Sequence, residues 1–154
     1  MFGNQQTPSR SNDPLAGYAA MIHQILANLR VDADGARLEV EGGYGWNFRY
    51  GSAIIEVYIH ENPEGAYFQA LSPIVTLPQA NLLPLYRHLL ELNLQLTNAA
   101  LGVYSDTVYI FSERPLQGLD QVEAETTIQH VVNYADTLDN QLVSEFGGRL
   151  YNRA

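Results

Sequence analysis

Hydrophobic periodicity constrains this chain more than any other feature, because it switches repeatedly between the 3.6-residue repeat of a helix and the two-residue repeat of a strand. Asp13-Pro14 reads as an N-cap with proline at the first helical position, and Leu15, Tyr18, Ile22, Ile25, Leu26 and Leu29 follow at helical spacing. A first helix is expected over Pro14 to Leu29. Beyond Asp34-Gly35, the run Arg37 to Glu41 alternates polar and apolar like a half-buried strand. After a break at Gly42-Gly43, the run Tyr44 to Tyr50 sets Trp46, Phe48 and Tyr50 on one side. The next strand places Ala53, Ile55, Val57 and Ile59 on one face and Glu56, Tyr58 and His60 on the other. A turn over Glu61 to Gly65 leads into a further extended run, Ala66 to Val75, in which Pro73 suggests an edge position or a strand end.

The helical period returns at Asn81, where Leu82, Leu85, Tyr86, Leu89, Leu90, Leu92 and Leu96 wind around a second helix with Pro84 in its first turn. Ser105-Asp106-Thr107 then sits between two apolar-alternating arms, Ala99 to Tyr104 and Val108 to Glu113, as in a hairpin. Asp120 with Glu123 opens a long third helix that runs to Gly147-Gly148. Strand runs separated by isolated helices imply an α+β domain, an antiparallel sheet with helices packed on it, and not alternating βαβ units. One domain over 13–150 is expected, with residues 1–12 disordered. At 154 residues the chain can bury roughly 70% of its unfolded surface without disulfide or metal.

Composition excludes several kinds of chemistry. There is no cysteine, so thiolate nucleophiles and cysteine-held metals are ruled out, and all eight basic residues are arginine, which removes Schiff-base lysines and the P-loop lysine. The arginines are scattered, and the formal charge of −9 repels phosphate backbones, so no nucleic-acid partner is expected. No run approaches the roughly 20 apolar residues of a membrane span, and the N-terminal residues lack the pattern of a signal peptide. The chain reads as cytoplasmic, with no membrane partner.

No catalytic or metal motif emerges, and no cofactor is expected. His23, His60, His88 and His130 lie in four different elements; His88 with Glu91 shares a helix face, at a spacing that chance supplies often. Asp32-Ala33-Asp34-Gly35 opens like a calcium loop but has its glycine two positions early and Gly43 where the bidentate glutamate belongs. Gly42 to Trp46 is glycine-rich yet leads into a strand, so it presents no helix N-terminus to a phosphate. No GxSxG elbow marks Ser52, Ser72, Ser105 or Ser112 as a nucleophile. Association is the remaining theme: the second helix is apolar on more than one side, as an element packed on two sides would be. Its leucines serve either the chain's own core or a subunit interface, and Trp46, Phe48 and Tyr50 either the core or a platform for an incoming chain.

The order of elements, together with Leu77-Pro78 through Asn93 (LPQANLLPLYRHLLELN), resembles the YbjN family and the CesT-like type III secretion chaperones. The likeness runs from about Pro14 to Phe146. It implies a twisted antiparallel sheet covered by helices, often in a homodimer built on the middle helix, that binds an extended client segment without nucleotide or metal. On that reading Leu85, Leu89, Leu92 and Leu96 are dimer-interface candidates, and Ile22, Leu26, Trp46, Phe48 and Tyr50 are peptide-binding candidates. A non-enzymatic chaperone-like or adaptor protein is the reading preferred. The alternatives are a scaffolding domain that docks a folded partner, and a small enzyme whose site is not visible in sequence.

Overall fold

The computed structural model describes residues 13–152, so the expectation for residues 1–12 lies outside the described residues. Among the described residues three helices and seven strands follow in the order α1 (Ala16–Asn28), β1 (Arg37–Leu38), β2 (Gly43–Tyr50), β3 (Ala53–Asn62), β4 (Gly65–Thr76), α2 (Leu82–Leu92), β5 (Ala100–Tyr104), β6 (Thr107–Pro115), α3 (Gln121–Phe146) and β7 (Arg149–Leu150). All strands join one antiparallel sheet of order β1-β2-β3-β4-β6-β5, with β7 added beside the end of β4. The expected α+β architecture is therefore present.

Local signals explain most boundaries. The helix α1 starts at Ala16 with Leu15 as its N-cap, two residues after the expected Asp13, which instead holds the preceding turn by accepting the Leu15 N–H at 3.0 Å while the Tyr44 hydroxyl donates to the same carboxylate. That hydroxyl first, and the Leu15 amide second, hold the Asp13 carboxyl below its usual range. Asp120 caps α3 by accepting the Glu123 N–H at 2.8 Å, while the Glu123 carboxylate turns away to pair with Arg114. Asp120→Ala is expected to cost about 1 kcal/mol in a urea titration, the usual loss for an N-cap.

Some expectations needed tertiary context. The strand read over Arg37 to Glu41 shortens to the two residues of β1. Pro73 is buried inside β4, a central strand, and does not mark a sheet edge. It is tolerated because the ladder to β3 ends at Leu71 and the register to β6 shifts between Pro73 and Val75. The strand β7 carries no periodic signal of its own. Gly148, at φ +87, turns the chain after α3 so closely against β4 that a Cβ there would lie 2.4 Å from the Thr76 carbonyl oxygen.

One face of the sheet carries the core. Trp46, Ile55, Ile59, Phe68 and Ile110 are fully buried there with Ile22 and Leu26 of α1 and Ile128 and Leu142 of α3. Among the described residues no helix packs on the opposite face. Along it run Glu56 and Tyr58 of β3, Gln69 and Leu71 of β4, Tyr109 and Phe111 of β6, and Gly102 and Tyr104 of β5, as alternation along each strand requires.

Candidate functional site

The strand β5 ends the sheet, and its Ala-Leu-Gly-Val-Tyr sequence has no charge or proline to protect the edge. Asn93, just past α2, covers part of it: its side-chain amide accepts the Leu101 N–H at 2.6 Å and donates to the Leu101 carbonyl at 3.2 Å, as a neighbouring strand would. Since outward-pointing residues alternate in an antiparallel strand, the next outward backbone groups belong to Val103. An apolar hollow lies on each side of this edge.

On the open sheet face a cavity of about 420 Å³ is walled by Leu71, Tyr104, Tyr109 and Phe111 over Ala100 and Gly102, with Glu56 at its rim. The lateral register explains it: Glu56 opposes Leu71, Leu71 opposes Phe111, and Phe111 opposes Ala100, so four strands contribute one row. A Cβ at Gly102 would meet nothing within 4 Å, so this glycine leaves room in the floor and relieves no clash. The Tyr109 phenol is held above its usual range by burial first, then by Tyr151 and the Glu56 carboxylate. On the helix side a second cavity of about 420 Å³ opens between Tyr86, Leu90 and Asn93 of the α2 region and Val103 of β5.

Residues singled out by sequence are distributed differently. Among the peptide-binding candidates Ile22, Leu26 and Trp46 are fully buried and Phe48 is 7% exposed, all in the core beneath the helices, and Tyr50 is half-buried beside them. Of the dimer candidates, Leu85 and Leu89 are buried within the chain's own core, at 1% and 4% exposure, while Leu92 and Leu96 are half-buried against it. The exposed apolar residues of this region are Leu83, Leu90, Leu94, Val103 and Tyr104. For Leu83 and Leu90 no sequence signal marks this exposure, because a helix apolar all round does not say which side faces in, and for Val103 and Tyr104 it depends on β5 becoming the sheet edge. His88 lies tilted against Phe146 with ring centroids 5.0 Å apart, and among the described residues no group of three His, Asp or Glu side chains converges as a metal site would need. No helix among the described residues is long and apolar enough to cross a membrane.

This geometry, a helix-backed antiparallel sheet with an apolar free edge, coincides with a family match. A family described as type III secretion (YopN, CesT) and YbjN peptide-binding chaperone 1 matches residues 18–154. The chain belongs to this family. Solved structures of similar fold include the ExsC–ExsE complex, at 12% identity and TM-score 0.62 over 84% of this chain and 96% of the other. The HopA1–SchA chaperone–effector complex aligns at 10% identity and TM-score 0.56 over 80% and 93% of the two chains. YbjN from E. coli aligns at 14% identity and TM-score 0.51 over 86% and 95%. These likenesses speak for the shared fold. No curated protein is significantly similar in sequence.

Proposed function

We propose that this member of the peptide-binding chaperones is a non-enzymatic cytoplasmic protein that holds an extended segment of a client and works as a homodimer. The observation that carries the reading is the apolar trough beside β5, on the sheet face that no described helix covers. An extended segment laid there exchanges solvent for Leu71, Tyr104, Tyr109 and Phe111, and the outward backbone of Val103 offers it main-chain hydrogen bonds. The second copy is assigned to the other side of the edge. Leu83 and Leu90 on the outward surface of α2 and Leu94 in the turn after it are at 68% exposure or more, and Leu90 also lines the hollow between α2 and β5.

Light scattering tests the dimer: a mass twice the 17.2 kDa of the chain is expected, and a monomer at every concentration overturns that part. Selection of phage-displayed random peptides on the purified protein tests the trough. Gly102→Val fills its floor at a position with space for a side chain, and should raise stability by about 0.5–1 kcal/mol while weakening the selected peptides at least tenfold. Undiminished peptide binding by a folded Gly102→Val protein would place the client elsewhere.

A further inference from the structure

The trough has one feature that apolar burial does not explain. Glu56 is half-buried at its rim, and among the described residues its carboxylate accepts only from neutral donors, Asn47 Nδ2 at 3.1 Å and the Tyr58 hydroxyl at 3.2 Å. The ion pairs among the described residues, Arg87–Glu91 and Arg114–Glu123, lie elsewhere. Arg49, on the same face of β2, is turned to the Ser52 carbonyl at 3.4 Å and lines a separate cavity. A client cation placed beside Glu56 would make a charge-assisted hydrogen bond to a carboxylate that no cation among the described residues already occupies. Leu71 stands beside Glu56, and Tyr109, Phe111 and Tyr104 line the rest of the same cavity, where ring faces attract guanidinium and ammonium groups. The two hydrogen bonds fix the carboxylate in place, so a client cation meets an oriented acceptor.

We propose that the trough selects a client segment carrying a basic side chain, arginine before lysine, flanked by apolar residues, with Glu56 as its acceptor and Tyr104, Tyr109 and Phe111 as its aromatic walls. This rests on the peptide-binding reading above. Arginine is preferred because its planar group can stack on a ring and donate to a carboxylate at the same time. The flanking apolar residues take the space over Leu71, Ala100 and Gly102. The net charge of −9 supplies a long-range pull on basic segments, and Glu56 supplies the local choice.

Parallel selections from a random peptide library on wild type, Glu56→Gln and Glu113→Gln test this. Glu113 lies on the same face, bonded to Gln69 and outside the trough lining, so its variant loses the same unit of charge at another place. Wild type and Glu113→Gln should enrich arginine, and to a lesser degree lysine, among apolar neighbours, and Glu56→Gln should lose that enrichment. A synthetic copy of the best arginine peptide should bind Glu56→Gln about tenfold more weakly than wild type, and its glutamine analogue should bind both alike. Peptides enriched without basic residues, or with the same basic preference on all three proteins, overturn the role of Glu56 and leave the peptide-binding reading standing. Recovery of no peptide from any of them overturns both.

Discussion

Leu89→Asp is expected to leave the chain unfolded in plain buffer, whereas Leu90→Asp, one position along, is expected to leave it folded and monomeric. Leu89 is 4% exposed and packed in the core, and Leu90 is 68% exposed on the outward side of α2. Removing a buried leucine side chain alone costs about 2–5 kcal/mol. Putting an unpaired carboxylate in its place adds a desolvation penalty of several kcal/mol more, against a total stability of about 5–15 kcal/mol. At position 90 the same carboxylate stays in water and meets its symmetry mate only if α2 packs on α2. Circular dichroism separates the two variants, and light scattering reads the second. A folded Leu89→Asp protein would show that α2 can detach from the sheet; a Leu90→Asp dimer would move the subunit interface away from this helix.

Trp46→Ala is expected to lower stability by about 3–5 kcal/mol, seen as a large fall in the urea midpoint. Trp46 is fully buried, stacked on Tyr44 at 6.2 Å and met edge-on by His23 at 5.7 Å. Its indole N–H finds no acceptor among the described residues. Trp46→Phe therefore removes an unpaired donor together with some volume and should cost less than the size change alone implies. In both variants the affinity of the folded fraction for trough-binding peptides should equal that of wild type, because Trp46 lies on the helix-covered face and the trough on the opposite one. A selective loss of peptide binding without loss of stability would return Trp46 to the binding surface.

These expectations show how far the chain could be read before it was folded. The alternation at Trp46, Phe48 and Tyr50, and at Ala53, Ile55, Val57 and Ile59, does mark one face of two paired strands. Asp120, Ser105-Asp106 and Gly147-Gly148 do punctuate the elements where their backbone chemistry predicts. The trough was not legible. Its residues come from β3, β4, β5 and β6, up to 55 positions apart between Glu56 and Phe111, and no local pattern links them. Nor does any periodicity announce that Asn93 would take the place of a strand beside Leu101.

Dihedral preference and hydrophobic spacing within a few residues specify the three helices, the strands before β7, their order, and which residues of each share a face. Which face would be covered was decided only when the chain closed. α3 packs on the side of Trp46, so the aromatic residues that look most like a binding platform became core, and the mixed polar face carrying Glu56, Tyr109 and Phe111 was left to solvent. The position of β5 is likewise a tertiary outcome: β6 pairs with β4, which pushes the preceding strand to the outside and makes it the edge. Burial and edge position depend on pairings far apart in the chain, and those pairings, not the leucine count of α2, set the surface offered to a client.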